Sequence, residues 1–177
     1  MSNINSVNPC LKGNAMDKVV AVVMGSDSDM PTMKACIDRL KEFGIEPLVR
    51  IISAHRTPDI AADFAEDAAK KGIKVIIAAA GMAAHLAGAL AARTTLPVIG
   101  VPLSAEHSPA GIDALLSTAQ MPPGVPVATM AIGNAGAVNA AIFAVQILAL
   151  SDEKLAAKLV DFRKAQRKKT IEKNSAV

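Results

Sequence analysis

The 177-residue chain contains no Trp and no Tyr, and its four Phe bring the aromatic share to only 2%. Aromatic side chains supply the stacking platforms of single-stranded nucleic-acid sites and flank the rings of flavins, so both kinds of site are unexpected here. Cysteine is equally scarce, because Cys10 and Cys36 stand far apart and neither belongs to a CxxC pair. We therefore expect no disulfide framework, no structural zinc site and a reducing, cytoplasmic environment.

A net excess of positive or negative charge is also nearly absent from most of the chain. The formal net charge is +3, and the excess lies in residues 151–177, which hold eight Lys or Arg against four Asp or Glu. Residues 1–150 hold eleven basic and twelve acidic side chains, so this larger part is close to neutral. The basic character therefore belongs to the final segment and does not by itself indicate a nucleic-acid partner.

Long uninterrupted apolar runs are missing as well. Val75–Ala92 is long enough to span a bilayer, but His85 interrupts it, and Ala135–Leu150 contains the polar Asn139 and Gln146. We expect both stretches to be buried core elements. By contrast alanine is abundant, with 34 residues, and such small side chains let neighbouring elements pack closely.

Apolar patterns alternate between strand type and helix type along the chain. Short β-branched runs predict strands that are buried on both faces, and the segments between them have helical spacing. This alternation predicts one three-layer α/β/α domain over residues 18–150, with a central parallel sheet and ligand-binding loops at the carboxyl ends of its strands. The predicted strands are Lys18–Met24, Pro47–Ile52, Lys74–Ala79, Pro97–Val101 and Val125–Thr129. The predicted helices are Asp29–Phe43, Pro58–Lys71, Ala83–Arg93, Ala110–Ala119 and Ala135–Leu150.

The two ends of the chain read differently from this domain. Residues 1–17 are polar and lack the apolar stretch of a signal peptide, so we expect a flexible leader. Residues 151–177 predict an appended C-terminal helix that Ser151 caps and that begins at Asp152. Its apolar stripe could pack on its own domain or on another subunit, and we favour a subunit contact. The stripe consists of Leu155, Leu159, Phe162 and Gln166.

The loop after the first predicted strand, Gly25–Asp29, suits an oxyanion such as phosphate. It offers two serine hydroxyls and free amides at the start of a helix, and Asp29 could accept hydrogen bonds from a sugar. The alternative is plain helix capping by Ser28 or Asp29. The loop is neither a Walker A nor a GxGxxG motif, so nothing indicates a nucleoside triphosphate or a dinucleotide.

The loop after the second predicted strand carries His55 and Arg56. Thr57 as N-cap and Pro58 at the first helical position account for the end of this loop structurally. They do not account for His55 and Arg56. Histidine exchanges protons near neutral pH, and the adjacent arginine is a permanent cation that binds anions. We therefore interpret His55 and Arg56 as functional.

The remaining loops are less decisive. Ala80–Leu86 has small residues against which a planar ligand could lie, and its His85 is either functional or an ordinary helix residue. His107 lacks polar company, and we expect it on the surface. Three prolines and a glycine make Gln120–Pro126 stiff, with or without a functional reason. Gly133 and Gly136 allow close approach at the start of the last helix of the domain.

Taken together, these loops resemble the N5-carboxyaminoimidazole ribonucleotide mutase family of purine biosynthesis. The resemblance covers roughly residues 18–150, and its five motifs occur in one order along the chain. They are GSDSD at 25–29, SAHRTP at 53–58, AAAGMAAHLAG at 78–88, LPVIGVPLS at 96–104 and LLSTAQMPPGVPVATMAIGNAGAVNAA at 115–141.

The resemblance implies a flavodoxin-like fold, a homo-octamer and an isomerase that needs no metal, ATP or biotin. The reaction would move a carboxylate from the exocyclic nitrogen of an aminoimidazole ribonucleotide to ring carbon four. By this likeness His55 is the general acid and base, Ser26 and Asp29 bind the phosphate and ribose, and Arg56 binds the phosphate. The other implied substrate-binding residues are Ser28, Ser53, Gly81 and His85.

Three departures from the family pattern affect the implied site. The family usually has a second glycine where Met82 stands and a proline where Ala87 stands, and the Ser104–Gly111 loop differs. A related branch carboxylates aminoimidazole ribonucleotide directly with CO2, and this is the alternative function. The Ala-Ala-His run ending at His85 favours the mutase. A second alternative belongs to a different functional class, an oligomeric scaffold protein that catalyses no reaction.

Overall fold

A computed structural model describes residues 19–105 and 109–175 of the chain. The expected leader, residues 1–17, lies outside the described residues. The strands are β1 (Val20–Met24), β2 (Leu48–Ile51), β3 (Val75–Gly81), β4 (Val98–Leu103) and β5 (Ala128–Thr129). The helices are α1 (Met30–Glu42), α2 (Pro58–Ala68), α3 (Leu86–Ala91), α4 (Ile112–Ala119), α5 (Asn134–Ala149) and α6 (Glu153–Asn174), with a short 3-10 helix at Asp27–Asp29.

The five strands form one parallel sheet in the order β2-β1-β3-β4-β5. This order is that of flavodoxin-like folds, and it reverses between β1 and β3, where such sheets bind ligands beyond their carboxyl ends. The register places Met24 at the end of β1 opposite Ala79 of β3. The predicted α/β/α architecture is confirmed.

Two apolar clusters cover the faces of the sheet. One lies under α1 and α5 and includes Met33 and Leu40, and the other lies under α2 and α3 and includes Ala65 and Leu90. The alanines expected to permit close packing do so in α5, where one buried row faces the sheet. That row consists of Ala137, Ala140, Ala141 and Ala144.

Several predicted boundaries shift for local reasons. Strand β3 continues to Gly81, and α3 begins at Leu86 instead of Ala83, because Met82 has a φ of 55°, which no right-handed helix contains. Strand β5 shrinks to Ala128–Thr129, since the segment before it contains three prolines that cannot donate to a ladder.

The C-terminal helix begins one residue later than predicted, and its cap is Asp152 instead of Ser151. The Asp152 carboxylate accepts hydrogen bonds from the amides of Lys154 and Leu155 at 2.9 and 3.1 Å. The hydroxyl of Ser151 donates to a backbone carbonyl of α5 at 3.4 Å instead. A carboxylate cap is further favoured by the positive end of the helix dipole.

The first half of α6 packs on its own domain. Leu155, Leu159 and Phe162 lie against the cluster under α1 and α5. The ring of Phe162 meets Phe43 edge to face with centroids 5.5 Å apart, and Lys158 donates to the Phe43 carbonyl at 2.7 Å. Gln166, the last residue of the predicted stripe, is exposed. Three of the four stripe residues therefore pack on the domain itself, and the expected subunit contact of this helix stays a prediction.

The two apolar stretches flagged in the sequence are both parts of the domain. Val75–Ala92 forms β3 and α3, and Ala135–Leu150 lies almost entirely in α5. Over the described ranges, none of the helices combines the length and the apolar character that crossing a bilayer requires.

Cys36 on α1 is fully buried, and burial raises the pKa of its thiol to about 12. At pH 8 only about one thiol in ten thousand would be ionised, and the thiolate is the reactive form. We therefore expect the native protein to leave Cys36 unmodified by iodoacetamide and the denatured protein to modify it. Peptide mass mapping separates Cys36 from Cys10. Rapid native alkylation of Cys36 would contradict the burial described here.

Candidate active site

Three loops meet at the carboxyl edge of β1, β2 and β3, where the strand order reverses. The loop after β1 holds Ser26, Ser28 and Asp29, and the loop after β2 holds Ser53, His55 and Arg56. Gly81 ends β3, and His85 stands directly before α3. Every predicted site residue thus lies at one edge of the sheet, although they come from separate parts of the sequence.

The first loop is a tight turn built on Ser26, which caps the 3-10 helix. The Ser26 amide donates to the Asp29 carboxylate at 3.0 Å, and the Ser28 amide to the Ser26 hydroxyl at 3.4 Å, forming a capping box. The hydroxyl of Ser28 donates to that of Ser26 at 2.9 Å.

Of the two residues named by the capping alternative, Asp29 does stand at the N-cap position of α1, but its side chain makes no capping bond there. The expectation of free amides is wrong for Ser26 and Ser28. The Ser26 hydroxyl in turn donates to the Asp27 carboxylate at 3.0 Å, so both hydroxyls would have to rotate from these internal bonds to bind an anion.

Asp29 is partly buried in this turn, and its burial raises the pKa of the carboxyl above 3.8. The backbone amides of Ser26 and Gly25 act in the opposite direction, because hydrogen bonds to a carboxylate favour its ionised form. The side chain is held from one side by the Ser26 amide, at 3.0 Å. An ionised Asp29 so fixed can accept hydrogen bonds from ligand hydroxyls through its remaining lone pairs.

Arg56 joins the first two loops. Its guanidinium Nη2 donates to the carbonyl of Gly25 at 3.2 Å, and its Nε donates to the Ser53 hydroxyl at 3.3 Å. The Arg56 amide donates to the same hydroxyl at 3.2 Å. Because these bonds use only part of its five donors and the side chain is exposed, a cation beside the Ser26 turn remains open to an anion.

Thr57 and Pro58 begin α2 as predicted, with Thr57 at the N-cap position and Pro58 in the first turn. The Thr57 hydroxyl nevertheless makes no capping bond. It donates to the carbonyl of Ser53 at 2.9 Å and so closes the loop that carries His55 and Arg56.

The two histidines of the site form a pair. Nε2 of His55 lies 2.9 Å from Nδ1 of His85, and the rings meet edge to face with centroids 5.0 Å apart. A hydrogen bond between two imidazoles requires one nitrogen to donate and the other to accept, so the pair shares a single proton along this line. Both rings are exposed and hence accessible to a ligand. The sequence left open whether His85 is functional or an ordinary helix residue, and its direct contact with His55 favours a functional role.

The turn between β3 and α3 brings backbone close to the pair. A side chain on Gly81 would come within 3.2 Å of the Leu103 carbonyl, so this position fits only glycine without movement. Met82 follows at a φ of 55°, in the left-handed region that costs an L-residue about 1–2 kcal/mol. The residue is 60% exposed. The residue type of Met82 does not indicate this backbone conformation, but the glycine that the family usually has at this position is a signal that could have indicated it.

Two other segments singled out in the sequence flank β5, which β4 separates from β3 in the sheet. Gln120–Pro126 precedes β5, so the chain enters the sheet there at the amino edge, and Met121 covers Gly88 of α3. Gly133 follows β5 at the carboxyl edge, with a φ of 71°.

His107 lies outside the described residues. Within the described ranges, no group of three or more His, Cys, Asp or Glu is placed to hold a metal ion.

The amino-acid sequence of this chain matches a known protein family. Residues 19–169 match the AIR carboxylase family. The chain is 53% identical to the N5-carboxyaminoimidazole ribonucleotide mutase of Bacillus subtilis over 160 residues, which is 90% of this chain and 98% of that protein. It is 50% identical to the mutase of Escherichia coli K12 over 153 residues, which is 86% of this chain and 90% of that protein.

The fold agrees with a solved structure of the same kind. The crystal structure of Treponema denticola PurE superposes with a TM-score of 0.79 at 30% sequence identity, covering 89% of this chain and 97% of that one. Sequence and fold thus point the same way over nearly the whole described chain. The chain belongs to the AIR carboxylase family, and it shares half or more of its aligned residues with N5-carboxyaminoimidazole ribonucleotide mutases.

Proposed function

We propose that this protein is an N5-carboxyaminoimidazole ribonucleotide mutase, an isomerase of purine biosynthesis that moves a carboxylate from the exocyclic nitrogen of its substrate to ring carbon four. The observation that carries the proposal is the His55–His85 pair, 2.9 Å apart, at the same sheet edge as the Arg56 cation and the Ser26 turn. A proton carrier beside an anion site is what a phosphorylated substrate with two proton transfers requires. The identity of about 50% to curated mutases supports the same reaction.

The anionic end of the ribonucleotide is assigned to the first two loops. Arg56 would bind the phosphate, because its planar guanidinium can form two parallel hydrogen bonds to phosphate oxygens. The hydroxyls of Ser26 and Ser28 would rotate from their bonds inside the turn and donate to the remaining oxygens, and Asp29 would accept from the ribose hydroxyls. Ser53 would hold Arg56 in place through the two bonds already made to its hydroxyl.

The first chemical step breaks the bond between the exocyclic nitrogen and the carboxyl carbon. The bonding electron pair stays on the nitrogen, which takes a proton from His55, and the carboxylate leaves as neutral CO2. Without that proton the leaving group would be an amide anion, so a general acid lowers the barrier. The His85 nitrogen in contact with His55 would stabilise the tautomer that can donate toward the substrate.

The second step forms the new carbon–carbon bond. The electron-rich ring carbon four attacks CO2, and the hydrogen on that carbon then leaves as a proton to His55, which restores the aromatic ring. The proton given in the first step is recovered in the second, so the reaction is an isomerisation with no net proton change. The carbonyl and amide groups around Gly81, together with His85, would lie near the migrating carboxylate.

The direct test follows the carboxyl carbon itself. Purified protein would be given the carbamate substrate with carbon-13 in its carboxylate, and the carbon signal would be followed by NMR. We expect the label to move from nitrogen-bound to carbon-bound carboxylate. Label that appears only as bicarbonate, at the rate seen without protein, would exclude the proposed function.

Replacing Arg56 with Ala should raise KM by roughly 10–100-fold and change kcat far less, because a charged hydrogen-bonding group to the phosphate is worth about 1.5–3 kcal/mol in ground state and transition state alike. Steady-state kinetics measure both constants. Arg93→Ala is the matched control, since Arg93 pairs with Glu66 at 3.2 Å on the helical surface, away from the site. An unchanged KM in Arg56→Ala would remove Arg56 from the phosphate site.

The assembly is proposed to be a homo-octamer. Large apolar residues remain about half exposed or more in several parts of the single chain, and subunit contacts would bury them. Analytical ultracentrifugation should give a mass eight times that of the 18.2 kDa chain. A monomeric mass at micromolar concentration would contradict it. The exposed side chains are Ile51, Ile60, Ile112, Leu116 and Leu150.

The cytoplasm is the proposed compartment. A ribonucleotide phosphate is charged and does not cross a lipid bilayer unaided, so the enzyme must share the compartment in which its substrate is made. The buried free thiol of Cys36 is compatible with reducing conditions.

A further inference from the structure

We propose that the Asp27 carboxylate opposes the phosphate group at the Ser26 turn and so determines how tightly the site holds its substrate and product. This inference rests on the proposed function, which assigns the phosphate to this turn. Asp27 is the one polar side chain of the GSDSD loop that the proposed binding mode does not use.

Asp27 accepts hydrogen bonds from donors that the phosphate would need. Its Oδ1 accepts from the Ser26 hydroxyl at 3.0 Å and from the Ser28 amide at 3.1 Å. The Ser28 hydroxyl donates to the Ser26 oxygen at 2.9 Å, so both hydroxyl protons are engaged inside the turn. Because a serine hydroxyl has a single proton, a bond to a phosphate oxygen costs it the bond to its present acceptor. The Asp27 carboxylate therefore competes directly with the phosphate for Ser26.

The charge of Asp27 would remain close to the phosphate after the Ser26 hydroxyl has rotated. The Asp27 carboxylate oxygen lies 3.0 Å from the Ser26 oxygen. A phosphate oxygen that accepts from Ser26 at an ordinary length would lie within about 6 Å of this carboxylate, inside the screening length of about 8 Å at physiological salt. Within residues 19–105 and 109–175, no basic side chain forms an ion pair with Asp27 that would neutralise its charge. The two like charges would therefore repel each other.

The other charged groups of the turn act differently. Arg56 attracts an anion, and its Nη2 donates to the Gly25 carbonyl at 3.2 Å. Asp29 is a second carboxylate, and burial is the main cause that raises its pKa, with the charge of Asp27 acting in the same direction. Asp29 accepts from the Ser26 amide, whereas Asp27 accepts from a serine hydroxyl. Of the two carboxylates, only Asp27 thus competes for a hydroxyl assigned to the phosphate.

Weaker phosphate binding suits an isomerase whose substrate and product carry the same phosphate group. Contacts to a group that does not react stabilise the substrate, the transition state and the product alike, so tighter binding would lower KM without accelerating the chemistry. It would also slow the release of the product. Asp27 would take back the Ser26 proton donor as the product leaves, which makes it an affinity-determining residue and not a catalytic one.

The test measures the binding of ribose 5-phosphate to the parent and to Asp27→Asn by NMR titration, together with steady-state kinetics on the carbamate. Asparagine keeps the shape and an oxygen acceptor but removes the charge. We expect both the Kd for ribose 5-phosphate and the KM for the carbamate to fall roughly 3–10-fold, with kcat no higher than in the parent.

Asp38→Asn is the matched control, because it removes the same charge from the exposed surface of α1, where Asp38 pairs with Lys34 at 2.9 Å. Asp38 lies more than two helical turns beyond the start of α1, so this variant should bind ribose 5-phosphate as the parent does. An equal gain in affinity in Asp38→Asn would overturn the proposal, since net charge would then be the cause.

The sign of the change separates the proposal from a purely structural role of Asp27. If the carboxylate only builds the turn, Asp27→Asn should bind ribose 5-phosphate more weakly, and that result would overturn the proposal, as would an unchanged Kd. Failure of both the parent and Asp27→Asn to bind ribose 5-phosphate would also overturn it. A parent protein that binds ribose 5-phosphate but isomerises no carbamate would instead refute the proposed function alone.

Discussion

Replacing His55 with Asn is expected to lower kcat by roughly 10²–10⁴-fold while the fold and the association state stay unchanged. His55 is exposed, and its one described side-chain contact is the 2.9 Å hydrogen bond to His85, so the domain does not depend on the ring for packing. Asparagine is polar and of similar reach, but it neither donates nor removes a proton near neutral pH. Both chemical steps would therefore lose their proton carrier at once.

The measurement is single-turnover and steady-state kinetics on the carbamate, with circular dichroism and ultracentrifugation to establish fold and mass. His85→Asn is the informative companion, because it removes the partner of His55 but keeps the ring that transfers the proton. We expect a smaller loss of kcat there and a changed pH profile, since the tautomer of His55 would no longer be held. Substantial turnover by pure His55→Asn would exclude His55 as the general acid and base.

The largest effect on stability is expected for Gly136→Ala, a loss of about 3 kcal/mol in the free energy of unfolding. Gly136 is buried in the first turn of α5, where a Cβ would fall well inside contact distance of the Ala131 carbonyl oxygen. That obstacle is backbone and cannot rotate away, so the helix or the chain leaving β5 must move. Because Ala has the higher helix propensity, an isolated helix would show the opposite sign.

Urea denaturation of the parent and the variant measures this loss. Gly25→Ala is the matched control, since a Cβ there would meet its nearest neighbours only at 3.7 Å, an ordinary contact. We expect Gly25→Ala to unfold close to the parent. Gly136→Ala with parental stability would mean that α5 is not held against Ala131 as described.

The alternation of strands and helices was predictable because its signals are local. The β-branched runs in β1 and β3 are buried on both faces of the sheet. Gly44 and Gly72, which follow the ends of helices, have the positive φ that glycine favours. The start of α3 was not predictable in this way. Nothing in the residue type of Met82 indicates a left-handed backbone, because methionine favours the right-handed region that would have extended the helix.

The site was predictable as a set of loops but not as a set of contacts. Placing His55, Arg56 and His85 at the carboxyl edge needed only the parallel alternation of elements. The contact between the histidines needed the strand order, since β2 and β3 flank β1 and their ends stand about 10 Å apart across it. The bond from Arg56 to Gly25 likewise depends on β2 lying next to β1.

The inner bonding of the Ser26 turn also could not be predicted from the sequence. Ser26, Ser28 and Asp29 all have side chains that cap helices well, and which of them does so depends on backbone angles that residue type does not determine. In the structure Ser26 takes the cap, and the Asp29 carboxylate turns back to the Ser26 amide.

The most direct test of the central claim compares two substrates on the same enzyme. The carbamate would be supplied at low CO2, and aminoimidazole ribonucleotide would be supplied with increasing bicarbonate, with the rate of carboxylated product measured in both cases. The mutase assignment predicts efficient use of the carbamate, with a rate that does not rise with added bicarbonate. Product formed only from aminoimidazole ribonucleotide, at a rate that follows the CO2 concentration, would contradict it and identify a direct carboxylase.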